Sequence, residues 1–539
     1  MTSNFATAMA SIANTWNGAM SLSTPDMSGK TSGRMTLFFK SVRGLEPNSL
    51  FQYISETAAE SITDAFLLVF HIRDCRGGKG ERELGRLGMV WLFLNYPVEF
   101  SRVVPLMAEY GRWDDILQLF PGVLNLTDLT NVRVTYASNV ESETSLAILR
   151  DLQKSFISIM TNKIVADRAL MEAGEPVSLC AKWIPTEKGS LDRKTGVYKH
   201  ICNNMGIKPK ALRTKYQVPL RAYINIVERY MCSHRWDEIE FSKVPSSAMR
   251  RLKNAFEVHA PTAFNAWKDA LQRGEVKVNA KQLQPHELTR EIRTKGAADA
   301  VCEAQWKVME DEVKKLGTLE NAVVVVDTSG SMSCNDYLPM DVAVALGLII
   351  SNTVEGIFHN HVITFHTNPT FVVVKDGSLY NRWRQISTIP WGGSTDIQAT
   401  FNLVLKQARR ANLPESEMPK KMFIISDMQF NQTDRNAKTN FQAIDAKYKQ
   451  AGYTRPQIIF WNVAGSTTDF PVSVDDSGTA LVSGFSPSIM KSILNGKDFS
   501  PYSILRDTID DKRYDPIRAA LDPDSVNVVD IPTVHGTSD

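Results

Sequence analysis

The first long pattern along the chain is helical. In ETAAESITDAFLLVFHIRD, Ala58, Ile62, Phe66, Val69 and Ile72 recur at spacings of three and four, which predicts one face of an amphipathic helix. After a glycine break, RGGKGERELGRLGMVWLFLNY predicts a second helix and EFSRVVPLMAEYGRWDDILQLF a third. From about Met35 to Lys315 no segment sustains the two-residue alternation of a half-buried strand, so this half reads as a stack of helical hairpins. Two short strings echo each other within it, GRWDDILQLF around Trp113 and HRWDEIEFSKV around Trp236. In each, the Asp after Trp can begin a helix while the indole fills the gap between hairpins; chance similarity is the other reading.

After Leu316 the pattern changes. NAVVVVDTSGSMS is a β-branched apolar strand running into a Ser/Gly loop, and DVAVALGLIISNTVEGIF behind it reads as a buried helix. HVITF, KMFIISD and PQIIFWNV follow as strands, separated by the helical DIQATFNLVLKQARRAN and FQAIDAKYKQAG. Strands alternating with helices predict a doubly wound parallel sheet, which binds ligands at the carboxyl ends of its strands. The expected class is α + α/β: a flexible arm over 1–34, a helical-repeat domain over 35–317, an α/β domain over 318–510 and a tail over 511–539.

Length and composition add limits to this picture. A chain of 539 residues exceeds a single core, and 43% hydrophobic with 22% charged residues excludes a mainly disordered protein. The longest apolar stretch, Val342 to Ile350, is far short of the roughly 20 residues of a membrane helix. The N-terminus lacks a basic region followed by an apolar block, so no secretory signal is expected. Six scattered cysteines without a CxxC pair disfavour a zinc ribbon or a disulfide scaffold and point to a reducing cytoplasm. The net charge of +2 hides a basic middle: Lys182 to Lys295 carries about twelve more basic than acidic side chains.

Candidate chemistry gathers in the α/β part. Asp327 ends the first strand, and Ser329 and Ser331 follow at alternate positions of DTSGS. Thr395 lies in the loop WGGSTDI and Asp427 ends KMFIISD. These five residues converge only if the strands form a parallel sheet. Hydroxyls with one or two carboxylates suit a hard cation that keeps water, so magnesium or manganese is expected before zinc. Read without an ion, the same residues cap helices and turn loops. RGGKG fails as a phosphate loop because no Ser or Thr follows its Lys and a helix precedes it; a turn between helices is expected. His366 reads as a loop histidine and Cys334 as a small, semi-buried residue.

The ordered set Asp327, Ser329, Ser331, Thr395 and Asp427 resembles the metal-ion-dependent adhesion site (MIDAS) of the von Willebrand A family. That resemblance implies Asp327, Ser329, Ser331 and Thr395 as direct or water-mediated ligands, with Asp427 behind them. FPVSVDDSGTALVSGFSPSIMKSI, from Phe470 to Ile493, and VNAKQLQPHELTREI, from Val278, resemble the Ro ribonucleoprotein family, whose TROVE module is a ring of helical repeats. HIRDCRGGKGERELGR, YGRWDDIL, LCAKWIPTE and KVPSSAM are more similar still to an uncharacterised set of Ro-like proteins that also pair a helical half with a metal-site domain. The resemblance spans roughly residues 30 to 505 and implies RNA binding, with single-stranded ends in a basic hole and structured RNA on the outer surface. The candidates for phosphate contact are Arg213, Lys215, Arg221, Arg250, Arg251, Lys253, Lys277, Lys281 and His286, with Trp183 and Tyr216 for stacking. For each of these singly, a solvated helix face is the other reading.

The function expected on these grounds is a non-enzymatic, monomeric RNA-binding scaffold, with the metal-site domain closing the ring or recruiting a protein partner and no membrane role. The alternative is a metal-dependent protein-interaction module without RNA. A metal-dependent hydrolase is disfavoured, because no ordered nucleophile and base accompany the site.

Overall fold

The computed structural model describes residues 12–14, 20–22, 32–119, 143–365, 369–389, 396–429, 440–465, 471, 477–495 and 499–522. Contacts divide the chain into two compact units, 1–84 with 240–511, and 85–239 with 512–539. The expected boundary at 317/318 therefore does not separate the units, and the helical half is shared between them. Periodicity marks where a helix lies, not which core it joins.

The first unit is built on a six-stranded sheet. Its strands are β1 (Ala322–Asp327), β2 (His361–Phe365), β3 (Phe371–Val373), β4 (Lys421–Ser426), β5 (Gln457–Asn462) and β6 (Thr479–Ser483). Their order is β6-β5-β4-β1-β2-β3; all neighbours are parallel except the edge strand β3, which runs antiparallel to β2. The sheet is thus mixed, with the parallel core that the alternating pattern predicts. β1 is buried along its whole length, which accounts for an unbroken β-branched run where alternation would mark an exposed face. From β1 the chain moves outward to β2 and β3 and then returns to β4 on the other side of β1. The carboxyl ends of β1 and β4 therefore flank the topological switch point of the sheet.

The helix Cys334–Thr353 packs on β1 and against the helix Pro285–Lys295; its first turn is broken by the left-handed residues Asn335, Asp336 and Tyr337, and from Leu338 onward it is apolar on nearly every side because it is buried between them. Among the described residues the segment Gly330–Thr353 is long and apolar enough to cross a membrane, longer than the Val342–Ile350 run alone suggests; 72% of its apolar window is buried inside the fold. Gly347 lets this helix approach the sheet, since a Cβ there would meet Val326 Cγ2 at 2.4 Å.

The N-terminal helices belong to this same core. The expected single helix over ETAAESITDAFLLVFHIRD is two, Pro47–Glu60 and Ile62–Arg73, because Ser61 is extended and its hydroxyl accepts from Asp64 N at 3.2 Å as a cap. Lys79 of the RGGKG turn points inward and is buried. Its Nζ donates to the carbonyls of Phe38 and Ser41, at the end of the helix Ser32–Lys40, and to Ser483 Oγ at the end of β6. Gly465 lies so close to the segment after that helix that a Cβ would meet Leu45 N at 2.2 Å.

The second unit is helical. Its longest element, Glu143–Glu172, buries Leu152, Phe156, Ile157, Met160 and Ile164. The stretch EFSRVVPLMAEYGRWDDILQLF, expected as one helix, breaks at Pro105 and Gly111 into Pro97–Val103, Val104–Leu106, Met107–Tyr110 and Trp113–Gln118. The two echoing strings are alike only locally: Trp113 opens an α-helix, Trp236 opens a 3-10 turn, and both are half-buried. The expected tail contributes structure of its own, with the helix Asp515–Leu521 packed on Pro97–Val103 and Tyr514 stacked on Tyr110 at 5.7 Å. In the expected arm, Ile12–Asn14 pairs antiparallel with Met20–Leu22.

Candidate functional site

Asp327 occupies the last position of β1, fully buried, and both of its oxygens are engaged. Oδ1 accepts from Ser329 N at 2.9 Å, and Oδ2 accepts from Ser426 Oγ at 2.5 Å, across the switch point from β4. The chain then tightens into a 3-10 turn over Gly330–Ser333 that presents Ser331, whose Oγ lies 3.1 Å from Ser329 Oγ. Ser331 also hydrogen-bonds the carboxyl of Asp427. Asp427 follows β4, and its Oδ1 accepts from Gln429 N at 3.2 Å through a turn in which Met428 has a φ of 66°. Four of the five expected residues, Asp327, Ser329, Ser331 and Asp427, are thus brought together. Thr395 lies outside the described residues, as does His366.

Burial first, and then the charge of Asp427, push the Asp327 carboxyl up to about 7; burial pushes Asp427 up as well. Two buried acids that resist ionising side by side, flanked by two hydroxyls, form a donor set that fits a hard divalent cation. Among the described residues no three His, Cys, Asp or Glu side chains gather as a metal site, so an ion held here would rely in part on hydroxyls. Ser426 was not among the expected residues. Its signal is a hydroxyl in the otherwise apolar, buried run MFIIS. Cys334 is exposed rather than semi-buried.

The basic candidates divide. Arg213, Lys215, Arg251, Lys277 and Lys281 are exposed. Arg250 is half-buried and pairs with Glu287 at 3.2 Å. Three others serve the interior instead of facing a phosphate. Arg221 donates to the carbonyls of Ala181 at 2.9 Å and Ile184 at 2.6 Å, closing the end of the short helix Cys180–Trp183. Lys253 is buried in ion pairs with Glu291 and Asp299. His286 is buried edge-on to Phe485 at 5.0 Å, and burial holds its imidazole well below the usual histidine range, so it is neutral. Helical spacing cannot separate these from their exposed neighbours, because the difference lies in which partner packs above them. Trp183 and Tyr216 are half-buried.

Comparison with known proteins gives one extended match, at 32% identity over 532 residues, covering 94% of this chain and 89% of "Uncharacterized protein L728" from Acanthamoeba polyphaga mimivirus. The chain belongs to the family of that viral protein. Two family models match within it, "Domain of unknown function (DUF2828)" over residues 147–319 and "Domain of unknown function (DUF7788)" over residues 321–527. They meet close to the change of pattern read at Leu316. The family's α/β part, as matched here, contains Asp327, Ser329, Ser331, Thr395 and Asp427. Among solved structures, a chain described as "Crystal structure of Deinococcus radiodurans RO (RSR) protein" is matched at 11% identity and a TM-score of 0.34, covering 89% of this chain and 99% of that one. That degree of likeness is too low to establish a common fold.

Proposed function

We propose that the protein is a non-enzymatic RNA-binding scaffold whose α/β domain holds a magnesium or manganese ion in a von Willebrand A-type site. The observation that carries the RNA reading is the exposure of Arg213, Lys215, Arg251, Lys277 and Lys281 in a strongly basic segment, within a chain whose motifs resemble Ro-type proteins. Asp327, Ser329 and Ser331, with Thr395, would hold the ion, and an open coordination position would accept a carboxylate from a protein partner. Six free cysteines suit a reducing cytoplasm.

The test is binding of a labelled single-stranded RNA to nuclease-treated protein across a salt series. Neutralised phosphates predict a log–log slope of about −0.7 for each contact, and salt-independent affinity would sink the reading. The oxygen set at the switch point favours a second reading, a metal-dependent protein-interaction module without RNA. Asp327→Ala separates the two: it abolishes partner capture in the second and leaves RNA affinity intact in the first.

A further inference from the structure

We infer that the principal RNA-contacting surface is the stretch 193–215 of the second unit, and that it binds the sugar-phosphate backbone of single-stranded RNA. This rests on the RNA-binding reading and adds the place and the mode of contact. Between Asp192 and Glu228 the chain carries eight Lys and Arg and no Asp or Glu. Lys194, Lys199, Lys208, Lys210, Arg213 and Lys215 are all exposed, and none is in an ion pair among the described residues. The nearest carboxylate in sequence, Asp192, accepts from the backbone N–H groups of Lys188 at 2.8 Å and Tyr198 at 2.9 Å. The first unit differs. There Arg250 pairs with Glu287, Lys268 with Glu257, Arg273 with Glu275, and Arg293 with Asp341. Uncompensated basic charge is therefore densest in this stretch, while in the first unit Arg251, Lys277 and Lys281 are exposed singly between paired cations.

The local structure holds those cations outward. In the helix Val197–Met205 the apolar side chains Val197, Tyr198, Ile201 and Cys202 are buried, which leaves Lys199 to solvent and no apolar stripe for a membrane. Tyr198 donates its hydroxyl to Pro209 O at 3.3 Å and ties this helix to the next. That next helix widens into a π-helical turn over Leu212–Gln217, a form common at functional sites. Its inner side is anchored by Gln217, which donates to Ile184 O at 3.0 Å, while Arg213, Thr214 and Lys215 face out. Tyr216 is half-buried in the same turn, and Trp183 is half-buried in the segment that Gln217 and Arg221 grip, which puts an aromatic ring beside the cations in each.

The experiment uses the full chain and a labelled oligouridine. One variant combines Lys199→Glu, Lys210→Glu, Arg213→Glu and Lys215→Glu; a second combines Arg251→Glu, Lys277→Glu and Lys281→Glu. The first should weaken binding about 100-fold at low salt and make the salt slope shallower by about 3, while the second, at secondary contacts, weakens it less than about tenfold. Circular dichroism should show both folded, since every altered side chain is exposed. If only the second variant loses binding, the location is overturned and the RNA reading stands. If the natural sequence binds no RNA, both fall. Binding to phosphatidylserine vesicles but not to RNA, lost in the first variant, would overturn the ligand and assign the surface to a membrane.

Discussion

Ser426 donates its hydroxyl to Oδ2 of Asp327 over 2.5 Å, joining the carboxyl ends of two adjacent parallel strands at the point where the chain reverses direction across the sheet. The same Oγ accepts from Met428 N at 3.0 Å, so one hydroxyl both orients the acid and shapes the turn that carries Asp427. Removing it loosens both halves of the candidate metal centre. Ser426→Ala should weaken manganese binding by roughly 10- to 100-fold, as loss of a group behind a metal ligand does, with secondary structure unchanged. Isothermal titration of the metal, paired with circular dichroism, reads this directly; unchanged affinity would remove Ser426 from the site.

The metal-free protein should respond to pH through Asp327. Its folded-state value near 7 lies above the ordinary carboxylate range, so the stability this group contributes is present at acid pH and is lost as pH rises from about 4 through 7. Divalent cation should reverse the loss, because it favours the ionised pair. Melting curves in EDTA should fall across that window, magnesium should raise them at pH 7, and Asp327→Asn should flatten the dependence. A melting temperature indifferent to magnesium in the natural sequence would contradict an ion at this position.

Gly347 sets the distance between the central helix and β1. Gly347→Ala forces a methyl group against Val326 Cγ2 and should cost about 1–3 kcal/mol in denaturant unfolding. Adding Val326→Ala removes the obstructing methyls, so the double variant should lose less than the sum of the two single changes. Simple additivity would show that the helix relaxes away from the strand instead.

Lys253 separates a structural cation from an RNA-binding one. Its ammonium is buried between Glu291 and Asp299, so Lys253→Met leaves Glu291 to Lys295 alone and Asp299 to its helix cap, and should cost about 1–3 kcal/mol. RNA affinity of the folded fraction should stay the same. A change in affinity without loss of stability would return Lys253 to the contact surface.

Much of the α/β domain was legible because its signals are local. An unbroken β-branched run, a Ser/Gly loop and an apolar helix follow one another in NAVVVVDTSGSMS and DVAVALGLII, and each element forms where its own pattern places it. Asp327, Ser329, Ser331 and Asp427 were legible for the same reason, since a residue ending a parallel strand lies at the ligand-binding edge wherever the strand sits. Less of the helical half could be read. Ser61 splits a helix whose apolar spacing runs straight through it, because a hydroxyl that caps one helix outcompetes the continuity of a stripe.

The sequence by itself determined the kinds of element, the change of architecture near Leu316 and the oxygen donors at the strand ends, all of which depend on residues close together along the chain. Tertiary structure alone decided that the first helices join the sheet through Lys79 and Ser483, and that the Ser426 hydroxyl meets the Asp327 carboxyl. It also turned Arg221, Lys253 and His286 inward while Arg213 and Lys215 stayed in solvent. The physical reason is that burial and pairing are properties of contacts between residues far apart in the chain. A cation on a helix looks the same in sequence whether a carboxylate or water lies above it.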